Sequence, residues 1–341
     1  MRTYGRWHRA WGTTILALAT TLAVPAMTHA QETEPTPDAD PVRIAYFSFA
    51  ASNTYSQATL EGIEQVAEES GATVQAFDGG FDATVQVNAI QDALASGGFD
   101  AFIISSNDGN AVVPQVEAAI AAGIVVVATF TPIGPDLTTL EPQIDGVTAT
   151  VGPPLVSNGE WFARLIVDAC ADRDPCQAAF MPGLSTLPLD AVRVTAMQAV
   201  LAEHPAVDLV AVVDGGYLAD PAYQATQDIL SAYPDIDVIA TGGDQMTIGA
   251  ELAVQDAGLA DEIALIGNGA SRPGVQAVRK GRWFGTYVNV PVQEGRTAAD
   301  LAIRAVRGET VPSAVDEETL SPIGPVATLE TVGDFEGEWE G

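Results

Sequence analysis

From residue 41 onward, short unbroken apolar runs alternate with segments whose apolar residues fall at helical spacing. The runs at 43–49, 73–77, 101–105 and 124–129 are β-favouring and roughly five or six residues long. Between them, 56–70 carries Leu60, Ile63, Val66 and Ala67 at helical spacing, and 84–96 places Val85, Ile90 and Leu94 on its expected buried side. Residues 112–122 form a third helical segment. A strand that is apolar throughout must be covered on both faces, as in a parallel sheet between helix layers. Repeated strand–helix–strand units with short loops therefore predict an α/β, doubly wound parallel sheet.

The rhythm breaks over 131–155, where Pro132, Gly134, Pro135, Pro142, Gly152, Pro153 and Pro154 cluster, and then restarts. Helices are expected at 159–171, 191–203, 222–232 and 248–257, and strands at 177–181, 207–213 and 238–241. The pattern continues through 263–266, 273–280 and 284–288 to a last long helix over 292–307. Two similar α/β lobes in succession suit a chain of 341 residues that is 47% hydrophobic.

The first thirty residues stand apart. Arg2, Arg6 and Arg9 precede a short apolar core at 13–24, and Thr28-His29-Ala30 offers small residues where a signal peptidase reads. This predicts a signal peptide (1–30) cleaved after Ala30, a secreted chain, and a flexible leader at 31–41 rich in Pro, Glu and Thr. The net charge is −31, from 14 basic and 45 acidic residues. Such a surface repels nucleic-acid phosphates and anionic lipid. Three histidines and two cysteines leave little for a soft-metal site, and no metal or cofactor is expected. In an oxidising compartment Cys170 and Cys176, separated by the turn-like Ala-Asp-Arg-Asp-Pro, predict a local disulfide. Two buried free thiols are the plainer alternative. The spacing is not that of a redox Cys-x-x-Cys pair.

In an open parallel sheet, ligands sit beyond the carboxyl ends of the strands. There the first lobe carries Ser48, Phe49, Ser52, Asn53 and Tyr55, then Ser106, Asn107 and Asp108, then Thr129, Phe130 and Thr131. The second carries 183–187, Gly215-Gly216-Tyr217, Gly242-Gly243-Asp244, Asn268-Gly269 and Asn289. Hydroxyls, amides, carboxylates and rings with hardly a cation suit a small neutral polyhydroxylated ligand. Taken singly, Asn107-Asp108 also fits a helix cap, Gly242-Gly243 a tight turn, and Tyr55 and Tyr217 ordinary core aromatics. No Gly-x-Gly-x-x-Gly, Walker lysine loop or Gly-x-Ser-x-Gly elbow is present. His204, before a proline in the loop after a helix, faces the wrong way for a catalytic triad. Carboxylate pairs are uninformative in so acidic a chain, for or against a glycosidase.

The stretch FDAFIISSND at 99–108, Val113-Pro114 and AAGIVVV at 121–127 resemble the first lobe of the sugar-type periplasmic substrate-binding proteins of ABC importers, the ribose/galactose-binding type. YPDIDVI at 233–239, then GDQM at 243–246 and Gly249-Ala250, resembles the second lobe. Asn53-Thr54-Tyr55 is similar to the family's Asn-Pro-aromatic loop. The resemblance runs over about 42–331. It implies two Rossmann-like lobes joined by three hinge strands, crossing near 150–154, 289–293 and 320–325. The N-terminal lobe would comprise 42–152 plus 290–322. The C-terminal lobe would comprise 153–289 plus 323–332, followed by an acidic tail at 333–341.

Carried over by position, Ser48, Asn53, Tyr55, Asp108, Thr129 and Phe130 would serve the ligand from the first lobe. From the second, Asp190 or Arg193 would approach it, Tyr217 would stack on it, and Gly243, Asp244, Asn268 and Asn289 would form the rim. The family usually presents an aspartate near Phe130 and another near Gly269, and an asparagine where Gly243 stands. These departures point away from ribose or galactose, toward a less polar or larger ligand or one held by fewer charged hydrogen bonds. The function implied is a periplasmic, monomeric, non-catalytic solute carrier that closes on its ligand and docks on an ABC permease. A ligand sensor for a membrane receptor kinase or chemoreceptor, and a secreted carbohydrate-active enzyme, are the competing readings.

Overall fold

Two six-stranded sheets organise the chain, each sandwiched between helices, in a computed structural model that describes residues Asp40–Gly341. The expected signal peptide, its cleavage after Ala30 and most of the leader lie outside the described residues.

The first sheet contains β1 (Arg43–Phe47), β2 (Thr73–Phe77), β3 (Ala101–Ile104), β4 (Val125–Thr129), β5 (Val147–Gly152) and β11 (Ala314–Asp316). Their order is β11-β5-β4-β3-β1-β2, all parallel. Ile44, Tyr46, Ile103 and Val127 face one side, where they meet α1 (Thr54–Ser70) and α9 (Pro291–Val306). Ala45, Phe47, Phe102 and Ile104 face the other, against α2 (Ala83–Ser96) and α3 (Val113–Ala121). This two-sided burial is why the strands read as continuous apolar runs. α1 and α9 approach through reciprocal glycines. A Cβ on Gly62 would stand 2.0 Å from Val292 O, and one on Gly295 2.0 Å from Thr59 O.

The second sheet contains β6 (Cys176–Met181), β7 (Val207–Val212), β8 (Val238–Thr241), β9 (Ala264–Asn268), β10 (Gly285–Tyr287) and β12 (Val326–Thr328). Their order is β12-β10-β9-β8-β6-β7, with only β12 antiparallel to its neighbour. The helices of this lobe are α4 (Leu155–Ala169), α5 (Pro188–Leu201), α6 (Ala219–Ala232), α7 (Asp244–Asp256) and α8 (Arg272–Arg279). Cys170 and Cys176 are disulfide-bonded between the end of α4 and β6. The chain passes between sheets three times: from β5 into α4, from β10 into α9, and from β11 through a 3-10 turn (Glu317–Thr319) into β12.

Several elements differ from their sequence-based expectation. β5 lies inside the Pro- and Gly-rich stretch, and Val147, Ala149 and Val151 bury while Thr148 stays half-exposed. α5 begins at Pro188, since proline's missing N–H costs nothing in the first helical turn. In α2, Val85 is 48% exposed and the neighbouring Gln86 is fully buried. Gln86 Nε2 donates to Ser48 O and Ser105 O, and its Oε1 accepts from Asn107 N, tying two strand-end loops to the helix.

The last residues return to the interior. Trp339 is 2% exposed, packs on Ala58 and Val292, meets Tyr55 edge-on at 5.6 Å and donates from Nε1 to Gly269 O. Arg272 N donates to Trp339 O, and Gln293 N to Glu338 Oε1. One indole thus bridges helices of the first lobe and a loop of the second. Trp339→Ala is expected to cost about 3–5 kcal/mol in urea unfolding, the usual price of a large buried aromatic. A loss under 1 kcal/mol would show that the bridge is not formed in solution.

Candidate functional site

The carboxyl ends of both sheets face each other across a narrow cavity. From the first lobe come Phe49 after β1, Asn53 and Tyr55 at the start of α1, Phe81 before α2 and Phe130 after β4. From the second come Leu187, Leu189 and Arg193 around the start of α5, Tyr217 after β7, Gly242, Gly243 and Gln245 around the start of α7, and Asn268 at the end of β9. Asn289 closes the ring at the second crossing.

Local backbone chemistry aims these groups. Asn53 caps α1, its Oδ1 accepting from Ser56 N at 3.1 Å. Phe81, Phe130 and Tyr217 have φ of +54°, +62° and +54°. They are three of the four non-glycine residues in the left-handed region among the described residues. Such strain, on the order of 1–3 kcal/mol each, tends to concentrate at ligand clamps. The Tyr217 ring lies flat against Gly183, where a Cβ would stand 1.7 Å from it.

The lobes touch around the cavity. Phe81 stacks on Tyr217 at 5.8 Å, Asn53 Nδ2 donates to Tyr217 O at 3.4 Å, and the Arg193 guanidinium sits 5.1 Å from the Phe130 ring centre. Phe130 also meets Phe49 and Tyr55 edge-on, at 5.6 and 5.1 Å.

Arg193 is the cavity's one charged wall residue, and it is 0% exposed. Its Nη1 donates to Tyr217 Oη at 3.1 Å and lies 3.6 Å from Asp190 Oδ1. Tyr217 donates to the same carboxylate at 2.7 Å, and Leu184 N donates to its other oxygen. Burial pushes the Asp190 carboxyl up, while Arg193, Leu184 N and Tyr217 pull it back. Arg193 Nε and Nη2 have no hydrogen-bond partner among the described residues. These are the two donors on one edge of the guanidinium, a fork that fits a pair of adjacent acceptor oxygens. The Asn289 Oδ1 and Gln245 Oε1 acceptors are likewise buried and unpaired. Asn268 ties the wall together: its Nδ2 donates one N–H to Gly242 O, and its Oδ1 accepts from Asn158 and Asn289. Buried polar atoms are rarely left empty in a folded protein, so three such residues around one cavity point to a ligand.

The cavity therefore gathers Asn53, Tyr55, Phe130, Arg193, Tyr217, Gly243, Asn268 and Asn289 of the expected set. Ser48, Asp108, Thr129, Asp190 and Asp244 do not line it. Ser48 Oγ donates to Phe77 O, and Thr129 Oγ1 pairs with Ser105 Oγ. Asp108 caps the turn before α3, accepting from Asn110 N and Ala111 N. Asp190 stands behind Arg193 and orients it. Asp244 accepts from Ser271 N, Ser271 Oγ and Thr286 Oγ1, bracing the loop after β9, and burial pushes its carboxyl to about 6. Phe81, Leu189 and Gln245 were not expected to touch the ligand. Phe81 follows the second strand, and the rule applied to the ends of the others would have found it.

Two parallel-sheet lobes, three crossings and a walled cavity between them define a two-lobed solute-binding protein. The family model described as "Periplasmic binding protein domain" matches residues 44–310, and the chain belongs to that family. It is 23% identical to the D-ribose/D-allose-binding protein of Pseudomonas aeruginosa over 287 residues, 82% of this chain and 87% of the relative. Its fold matches a periplasmic solute-binding protein of Actinobacillus succinogenes with bound D-allose, with a TM-score of 0.74 and 23% identity, covering 86% of this chain and 100% of the other. A solute-binding protein of Agrobacterium vitis with bound D-fucose matches with a TM-score of 0.75 and 20% identity, covering 85% and 97%. The fold is the α/β, two-lobed type I arrangement of these proteins.

Proposed function

We propose that this chain is the periplasmic binding component of an ABC importer, which captures a small neutral sugar or polyol between its lobes and delivers it to a membrane permease. The observation that carries this reading is an interlobe cavity whose wall residues Arg193, Gln245 and Asn289 keep buried polar atoms without partners. The sugar-binding relatives support the ligand class. The aspartate behind Arg193 compensates its charge, so an uncharged ligand leaves the buried pair balanced.

Binding works by closure. Tyr217, Phe81, Asn53, Phe130 and Arg193 meet across the cleft only when the lobes are together, and a ligand touching both lobes favours that state. A micromolar ligand supplies about 8 kcal/mol, more than an opening equilibrium of a few kcal/mol withholds. The lining residues of the cavity include no carboxylate, histidine or lysine, and an arginine keeps its protons, which suits binding rather than catalysis.

A thermal-shift panel of pentoses, hexoses, deoxy sugars and polyols tests the reading. Ligand at 100 times its Kd adds about 2.7 kcal/mol and is expected to raise Tm by several degrees, in a dose-dependent way. A panel with no shift at millimolar concentration would sink it.

A further inference from the structure

The polar and apolar halves of the cavity are segregated, and the division follows the lobes. Every orphan polar atom of the wall belongs to the second lobe or the crossing: Arg193 Nε and Nη2, Gln245 Oε1 and Asn289 Oδ1. The first lobe presents Phe49, Tyr55, Phe81 and Phe130 with a single amide, Asn53. That amide accepts from Ser56 N through Oδ1 and spends one of its two N–H groups on Tyr217 O, which leaves the first lobe a single amide donor. The Tyr55 hydroxyl already donates to Glu294 at 2.6 Å. Thus one edge of a bound molecule meets two donors and two acceptors, and the opposite edge meets rings.

A fully hydroxylated monosaccharide carries hydroxyls around its whole perimeter. Those on the first-lobe edge would find only the second Asn53 N–H and otherwise be buried without partners, which is costly. A methyl or methylene at the same place would be buried against Phe81 and Phe130 with gain. A site without hydrogen-bonding partners for a hydroxyl favours the analogue that lacks it. Resting on the reading of the chain as a sugar binder, we infer that this site selects a monosaccharide with one apolar edge, a deoxy sugar in preference to its fully hydroxylated parent. The vicinal oxygens of the ligand's polar edge take the Arg193 fork, and its hydroxyl hydrogens go to Gln245 and Asn289.

Isothermal titration of the mature chain with matched pairs tests this: D-fucose against D-galactose, L-rhamnose against L-mannose, 6-deoxy-D-glucose against D-glucose, 5-deoxy-D-ribose against D-ribose. In the pair that binds best, the deoxy member is expected to bind at least tenfold more tightly, or about 1.4 kcal/mol. Parents that bind as tightly as their deoxy partners, or more tightly, overturn the inference and leave the sugar-binding reading standing. Silence from every pair overturns the inference; the wider reading then falls only if the thermal-shift panel with polyols is silent as well. Phe130→Asn and Phe81→Asn each place a hydrogen-bonding amide in the ring wall, at positions whose left-handed backbone suits asparagine. Whichever variant melts cooperatively is expected to lose the deoxy preference. A preference unchanged in a variant that still binds would mean that the rings do not set it.

Discussion

Arg193→Met is expected to abolish measurable binding of the tightest sugar and to lower stability by about 3–5 kcal/mol. The two effects have different origins. A charged donor contributes about 1.5–3 kcal/mol per hydrogen bond, so losing both Nε and Nη2 weakens binding by roughly two to four orders of magnitude. Stability falls because the Asp190 carboxylate, 1% exposed, keeps Tyr217 Oη and Leu184 N but loses its only cation among the described residues. Desolvation already pushes that carboxyl up, and without Arg193 it rises further. A carboxyl whose folded pKa is raised destabilises the fold as pH climbs through the window, so the single variant regains stability on acidification. The pair Asp190→Asn with Arg193→Met separates the causes. The double variant is expected to recover most of the stability in urea unfolding and none of the affinity in titration calorimetry. Normal affinity in the single variant would place the ligand away from the guanidinium.

The parts of the fold that could be read from residue order alone are those where one local pattern has one structural cause. β1, β3 and β4 are buried on both faces, so their apolar runs are continuous and flanked by helical periodicity. β5 escapes because threonines interrupt it and prolines precede it; pairing with β4 and β11 is what makes it a strand. β11 and β12 are three residues each, too short to carry a period. In the site, Asn53, Phe130, Tyr217, Asn268 and Asn289 were legible because strand ends in a doubly wound sheet converge on one place. Asp244 follows a Gly-Gly turn at the end of a strand, where a ligand group and a structural brace look alike in sequence. Only the hydroxyls of Ser271 and Thr286, 27 and 42 residues away, decide between them. Gln86 is hidden for the opposite reason: a polar residue one step from the apolar face reads as solvent-facing until the loops it ties are seen. The acids of the crossings are hidden altogether, since a glutamate among 45 acidic residues carries no signal of its burial.

Those acids set the second large effect, the pH dependence of the closed fold. Glu294 lies in the first turn of α9 and Glu317 opens the 3-10 turn after β11, so both sit where the chain passes between lobes. They are 0% and 1% exposed, and the Tyr55 hydroxyl joins them, donating to Glu294 at 2.6 Å and lying 3.4 Å from Glu317. Val290 N donates to Glu317, yet among the described residues Glu317 Oε2 and Glu294 Oε1 have no partner, and neither glutamate pairs with a cation. Burial pushes Glu317 from 4.5 up to about 8, opposed by Val290 N and Tyr55 and reinforced by the nearby Glu338 and Asp316 charges. Burial and the Glu317 charge push Glu294 well above its ordinary range. Between pH 4.5 and 8 the folded chain therefore binds more protons here than the unfolded chain. Stability is complete below that window and declines as pH rises through it, by a few kcal/mol for a shift of this size. Glu317→Gln holds the protonated shape at every pH: its Oε1 still accepts from Val290 N, and its Nε2 can donate to Glu294. The variant is expected to melt as the parent does at pH 5 and several degrees higher at pH 8.5. The difference between the two melting curves removes the background repulsion of a chain with net charge −31. Parallel curves from pH 5 to 8.5 would show that Glu317 is already ionised in the fold, with its charge met by a partner other than Tyr55 and Val290.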